Sequence, residues 1–240
     1  MTGEPFTLER YRSYLVAALG AGYRFVPFEE LDSTPPLVVL RHDVDYSPRH
    51  AMEMARLERA VGVTATYCVH SACHWYDAGR SPHREAIAAV LEQGHELGLH
   101  FDASEIDADD EVVEGVVAAA ARLESLFGAR VGAVSFHMPG RRPVTHLELP
   151  EPLLNTYGPR FFDEIAYISD SNQDWRGNDD PAALLWSRFA ARVQLLIHPF
   201  WWRDRYGTIG GKLSELATEL GVPLERIATH EQMELIRAGR

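Results

Sequence analysis

Hydrophobic positions along the chain switch repeatedly between two patterns. Short apolar or β-branched runs recur at 37–42, 63–69, 95–101, 131–136, 164–168 and 193–197. Between them, apolar residues fall at helical spacing over 7–19, 47–61, 81–91, 108–127, 211–220 and 229–236. Continuous apolar runs read as parallel strands buried on both faces, and the stretches with a period near 3.6 as the helices that connect them. A further short strand is expected at 23–28. Local signals agree with these boundaries. Ser47-Pro48 supplies a helix N-cap followed by a proline at the first helical position, and Ser81-Pro82 opens the next helix. Gly62, Gly94 and Gly128 stand where helices should stop. The repetition predicts an α/β fold, a single distorted (β/α) barrel of about seven parallel strands. One domain is expected over 1–240, since no linker, repeat or low-complexity segment divides the chain.

The polar residues are informative where the apolar runs end. The run at 37–40 leads into Arg41-His42-Asp43-Val44-Asp45. Later runs end in His70, in His100 with Asp102, in His137, in Asp170 and in His198. Sites in (β/α) barrels lie at the C-terminal ends of the strands, so these residues are expected to converge. Strand alternation puts Asp43 and Asp45 on one face. Two carboxylates there repel each other unless their roles are separated. A bound metal does this, with one as ligand and the other free as a base.

Composition narrows the partners. The formal charge is −12, which argues against a nucleic-acid or anionic-membrane surface as the main partner. The first 23 residues carry acidic groups and no long apolar core, and no segment reaches the roughly 20 apolar residues of a membrane helix. A cytoplasmic location is the expectation, with soluble metabolites or glycan precursors as substrates. Cys68 and Cys73, the only cysteines, fit neither a CxxC redox pair nor a four-cysteine zinc site and are expected to be reduced thiols. Oligomeric state is not readable.

Five short segments, in order, resemble the motifs of the NodB-type polysaccharide deacetylases, carbohydrate esterase family 4, in its divergent branch with an HDVD first motif. His42-Asp43-Val44-Asp45 is similar to the first motif. Gly94-His95-Glu96-Leu97-Gly98-Leu99-His100 is similar to the second, except that Ser104 stands where a second histidine is usual. Ser135 to Gly140 corresponds to the third, with His137 in place of an arginine that braces the base. Asp170 to Trp175 fits the fourth and Leu196-Ile197-His198 the fifth. The resemblance implies the distorted barrel and metal-dependent removal of an acyl group, N-acetyl above all, from a carbohydrate or sugar-containing metabolite. It implies Asp43 as base, Asp45 and His100 as ligands, His198 as general acid and Asp170 as its orienting partner.

With Ser104 unable to supply charge, a third ligand must come from elsewhere. Asp102 is the first choice, because alternation places it beside His100, and His137 the second. His137 is alternatively a brace for Asp43 or a substrate contact. His70 is read as a non-ligand, and His42 as pointing away from the two aspartates. Zinc is the default for a mixed histidine and carboxylate set, with cobalt, nickel and manganese as alternatives. Trp175, Trp201 and Arg141 are candidate substrate contacts; the aromatics would stack on a sugar or cap the barrel mouth, and Arg141 would bind a phosphate or carboxylate or stay solvated. Two rival readings stand beside the deacetylase. One is an amidohydrolase acting on another C–N bond. The other is a degenerate domain that binds a glycan or partner without catalysis.

Overall fold

A computed structural model describes residues 6–175, 180–203 and 207–239. Its elements in order are α1 (Leu8–Gly20), β1 (Arg24–Phe25), β2 (Leu37–Val44), α2 (Pro48–Val61), β3 (Thr66–Val69), α3 (His83–Glu92), β4 (Glu96–Asp102), α4 (Asp109–Phe127), β5 (Val131–His137), β6 (Leu154–Asn155), α5 (Pro159–Phe162), β7 (Ala166–Ser169), α6 (Pro181–Trp186), β8 (Arg192–Ile197), α7 (Ile209–Leu220) and α8 (His230–Arg237). Seven strands line up in the order β6-β5-β4-β3-β2-β8-β7, and β1 pairs with β2 off this path. Every pair is parallel. The sheet curls into a half-barrel, the distorted (β/α) barrel expected from the sequence. It stays open between β6 and β7, where the rings of Tyr157, Phe162 and Tyr167 pack in turn at tilted angles, with centroids 5.5 and 4.7 Å apart.

β2 shows how the sequence sets up two environments. Leu37 and Val39 face inward and pack with Val26, Phe28, Ala133 and Phe161 in a small cluster. Val38, Leu40 and Val44 belong to the large core under the helices. Alternation therefore carries Arg41, Asp43 and Asp45 to the inner face near the strand's C-terminal end, and His42 to the helix face. At Gly98 in β4, a Cβ would lie 2.6 Å from Cys68 Sγ and 3.2 Å from the Ala133 carbonyl oxygen. Only glycine lets β3, β4 and β5 approach this closely. Gly62 and Gly128 end α2 and α4 in the left-handed conformation, at φ 83° and 63°, as their positions predict.

Three elements lie outside what periodicity reveals. β6 has two residues, α5 four and α6 six, too short to impose a period. The expected strand at 23–28 shrinks to Arg24–Phe25 because Phe28–Glu30 turns into a 3-10 helix. Among the described residues, no helix is long and apolar enough to cross a membrane.

Candidate metal centre and active site

Strand register assembles the centre. β2 and β3 pair Val44 with Val69, and β3 and β4 pair Val69 with Leu99. One residue further along each strand lie Asp45, His70 and His100, side by side. β4 pairs His100 with Ser135 and Asp102 with His137, so Ser135 and His137, two apart on β5, present the same face.

Three atoms meet at this row. His100 Nε2 lies 3.0 Å from Asp45 Oδ1 and 3.2 Å from His137 Nδ1, and His137 Nδ1 lies 3.2 Å from the same Asp45 oxygen. His70 supplies a fourth candidate donor, and the four lie within 4.8 Å of one another. Burial raises the Asp45 carboxyl, but hydrogen bonds from His100 and His137 outweigh it and hold the group well below the usual carboxylate range. Burial, reinforced by the His100 and His137 imidazoles, pushes His70 well below the usual histidine value. It is neutral with a lone pair available, as a metal ligand must be.

Whether these residues fit a metal can be judged from the donors alone. Two imidazole nitrogens directed at one carboxylate oxygen can each donate an N–H to it or share a cation with it. Adjacent donors in a tetrahedral zinc site, with bonds near 2.0–2.1 Å, are about 3.3 Å apart. The observed separations of 3.0 to 3.2 Å are of that size. One carboxylate with three histidines suits zinc, cobalt or nickel better than a hard oxygen-seeking cation. The residues fit a divalent metal.

Asp43 sits beside this group and is held differently. Arg41 grips it twice, Nε to Oδ1 at 3.0 Å and Nη2 to Oδ2 at 2.8 Å. The remaining donors of Arg41 go to Thr156 Oγ1, Gln194 Oε1 and Tyr157 OH at 2.7 to 3.0 Å, so the fully buried guanidinium is satisfied. Ser135 Oγ donates to Asp43 Oδ2 at 2.8 Å and stands 3.1 Å from His100 Nδ1. Burial raises the Asp43 carboxyl, and Arg41 overrides it, bringing the group down to about 2.

His198 stands across the mouth. Its Nδ1 lies 2.6 Å from Asp170 Oδ1, and its backbone N–H also donates to that carboxylate. Trp202 Nε1 donates to Asp170 Oδ2 at 2.6 Å. Burial lowers the His198 imidazolium, but the fully buried Asp170 raises it further, to about 9. Asp43, Asp45, His100, His137 and His198 all line one cavity of about 450 Å³.

Two expected residues do not come to this site. Alternation favours Asp102 as a ligand, but its carboxylate turns to the backbone that follows. β4 ends at Asp102, and the exposed carboxylate accepts the Ser104 backbone N–H at 2.9 Å, capping the turn. Trp175 was expected to touch substrate. It packs instead among Phe6, Tyr14 and Trp202, with ring centroids 5.6 to 6.1 Å away, and does not line the cavity. Trp201 does line it but is only 2% exposed, and forms wall more than platform. Arg141 lines it from the turn closed by its N–H to Met138 O, while Arg142 is tied to the Asp107 carbonyl and to Asp109.

His70, read from the sequence as a non-ligand, stands among the four grouped donors, and the sequence reading gives Arg41 and Ser135 no role there. Arg41 was legible in principle, as a charge inside an apolar strand two residues before an aspartate. His70 was legible by aligning strand ends, since the histidine follows β3 as Asp45 follows Val44. Ser135 carries no sequence signal beyond its place two residues before His137.

No protein-family model matches the chain, and no curated protein matches it. Solved structures do. A carbohydrate esterase family 4 pseudoenzyme from Bacillus anthracis is 14% identical, with a TM-score of 0.43 over 77% of this chain and 60% of that one. The deacetylase PplD of Streptococcus pyogenes, in complex with acetate, is 13% identical, with a TM-score of 0.46 over 80% of this chain and 81% of that one. Peptidoglycan deacetylase PdaC of Bacillus subtilis is 16% identical, with a TM-score of 0.43 over 88% and 94%. The chain thus spans about 60% of the length of the first of these. In the order of its motifs and in the solved structures that match it, the chain is similar to the polysaccharide deacetylases of carbohydrate esterase family 4.

Proposed function

We propose that the protein is a metal-dependent hydrolase that removes an acyl group, N-acetyl above all, from a carbohydrate or sugar-containing molecule. The observation that carries this reading is the meeting of Asp45, His100 and His137 at 3.0 to 3.2 Å in a cavity that Asp43 and His198 also line. Asp45, His100, His137 and His70 would hold the metal, zinc by preference. When bound, it would polarise the acyl carbonyl and make a nearby water more acidic.

The other residues supply proton transfer and orientation. With its carboxyl near 2, Asp43 is ionised throughout the working range. A carboxylate offers about four acceptor positions, and three are taken by Arg41 and Ser135. The one left takes the proton of the attacking water. Arg41 fixes the carboxylate plane, the task of the arginine that the third motif lacks. His198 is protonated up to about pH 9. With Nδ1 engaged by Asp170, its Nε2 is free to protonate the departing amine. One proton is taken from water and one is given to the amine, and solvent returns His198 and Asp43 to their starting states.

Metal analysis of the purified protein and two variants tests the centre. Wild type should carry close to one divalent ion per chain and lose turnover with a chelator. His137→Ala should largely empty the site, and Asp102→Ala should leave it filled. If His137→Ala binds metal like the wild type, this ligand set is wrong. Stoichiometric metal without hydrolysis of any N-acetyl sugar would favour the degenerate binding domain.

A further inference from the structure

The acid side of the site is held from parts of the chain that lie outside all five motifs. Trp202 stands four residues after His198 and is 1% exposed. Its ring packs against the N-terminal segment, with centroids 4.6 Å from Phe6, 5.5 Å from Tyr11 and 5.8 Å from Tyr14, and against Trp175 at 6.1 Å. The backbone around it is pinned as well. Leu8 N–H donates to the Arg203 carbonyl at 3.1 Å, and Arg203 N–H donates to the Phe6 carbonyl at 3.4 Å. Lys212 Nζ, on α7, donates to the Trp201 carbonyl. An indole has a single donor and no acceptor. With the ring fixed, that N–H has one direction, and it meets Asp170 Oδ2 at 2.6 Å.

This bond bears on His198. Asp170 is fully buried, so its two oxygens depend on donors from the protein. Oδ1 faces His198 Nδ1 at 2.6 Å, and the His198 backbone N–H lies 3.0 Å from both oxygens. Trp202 anchors Oδ2, which keeps the carboxylate plane turned with Oδ1 on the imidazole. The N–H also draws charge from the carboxylate, so Asp170 favours the imidazolium less than a bare carboxylate does. Other charged and titratable groups act on this pair. Asp43 and Asp45 of β2 face His198, while Tyr11 of α1 and Lys212 of α7 face Asp170. Removing the indole N–H alone leaves the charges of all four as they are.

We propose that Trp202 is a positioning residue for the general acid: its indole N–H aims Asp170 at His198 and moderates that carboxylate's hold on the imidazolium. The role of His198 as acid rests on the deacylase reading above. The test is an NMR titration of zinc-loaded protein with labelled histidine and tryptophan, beside the pH profile of turnover on the dimer of N-acetylglucosamine. In the wild type, the Trp202 Nε1–H resonance should shift with the same midpoint as the His198 ring. In Trp202→Phe, which keeps an aromatic ring but has no donor, the His198 midpoint should rise by about 0.5–1 pH unit, less than the change from losing the whole Asp170 charge. The alkaline limb of kcat should rise with it, and KM should stay within about twofold. A ring that only fills space predicts no movement of the midpoint, so an unmoved His198 in folded Trp202→Phe overturns the inference. If that variant does not fold, the wild-type protein decides: an indole resonance indifferent to the His198 midpoint overturns it equally. Absence of wild-type turnover, with both resonances still moving together, removes the deacylase reading instead and leaves the coupling of Trp202 to His198 in place.

Discussion

The two faces of β2 each carry a histidine–carboxylate cluster, and they are put to opposite uses. On the helix face, Glu58 of α2 is fully buried. Its Oε1 accepts from Tyr11 OH and lies 2.7 Å from His42 Nε2; its Oε2 accepts from Tyr67 OH at 2.8 Å, with His95 Nδ1 3.6 Å away. On the inner face, Asp45, His70, His100 and His137 gather below a cavity. Inventory alone does not separate them, for both have histidines within hydrogen-bond reach of a carboxylate.

Direction and access do. Around Glu58 the Tyr11 and Tyr67 hydroxyls and the His42 imidazole point at the one carboxylate. Burial raises the Glu58 carboxyl, and His42 together with these bonds outweighs it, keeping the group below its usual value. His95 Nδ1 accepts the Ala65 N–H, and its Nε2 lies 3.0 Å from the Ala55 carbonyl, so both nitrogens are spent on backbone. On the inner face, donors point at one another across a common point that a cavity reaches. The first is a sealed joint between α1, α2 and the sheet, and the second is a place for a cation.

The largest effect should come from breaking the sealed joint. Glu58→Ala leaves two tyrosine hydroxyls and His42 buried without their acceptor and is expected to cost about 3–5 kcal/mol, the scale for removing one partner of a buried charged network. Denaturant titration measures this, and metal content of the folded fraction should stay at the wild-type level. Loss of metal with little loss of stability would erase the distinction between the faces.

Next in size is the inner-face base. Asp43→Asn should retain metal and lose about 10²–10⁴ in rate, the range for a general base. The variant also leaves Arg41 without its counter-charge, so a melting curve must accompany the kinetics. Metal lost in a folded Asp43→Asn would make Asp43 a ligand.

His198 gives a pH signature that the sealed cluster lacks. As an acid it works only when protonated, so activity should be present below its value near 9 and fall as pH rises through it. A divalent cation nearby disfavours the imidazolium and can only bring that limb lower. Asp170→Asn removes the anion that favours it and should move the limb down by about 1–3 pH units. An unmoved limb would assign it to another group.

The contrast also explains what the sequence discloses. The barrel was legible because long apolar strands and helices stopped by glycine repeat from β2 to β5, and because His or Asp stands at strand after strand. That His42 faces away from the aspartates followed from alternation alone. Ligand identity did not, because it depends on register between strands. His70 joins the centre because β3 is aligned with β2 and β4, which is not a property of a local segment, and Asp102 leaves it because its carboxylate caps the turn after β4. Arg41 shows the same limit, since its partners Thr156, Tyr157 and Gln194 lie more than a hundred residues away.

Ser135 offers the smallest and sharpest perturbation, because it joins the two functions of the inner face. If His100 offers Nε2 to the metal, its Nδ1 carries the proton and donates to Ser135 Oγ, whose own hydrogen then goes to Asp43 Oδ2. This order of donors fixes the His100 tautomer with its lone pair toward Asp45 and His137. Removing an outer partner of a ligating histidine typically costs about 10–100-fold in metal affinity. Ser135→Ala should lose that much in a competitive chelator titration, with no activity measurement needed. Ser135→Thr keeps the hydroxyl, though it adds a methyl to a fully buried position, and should recover most of the loss. A merely space-filling serine predicts the reverse ranking, with alanine tolerated and threonine harmful. That outcome would leave His100 to be oriented by packing, and would uncouple the base from the metal shell.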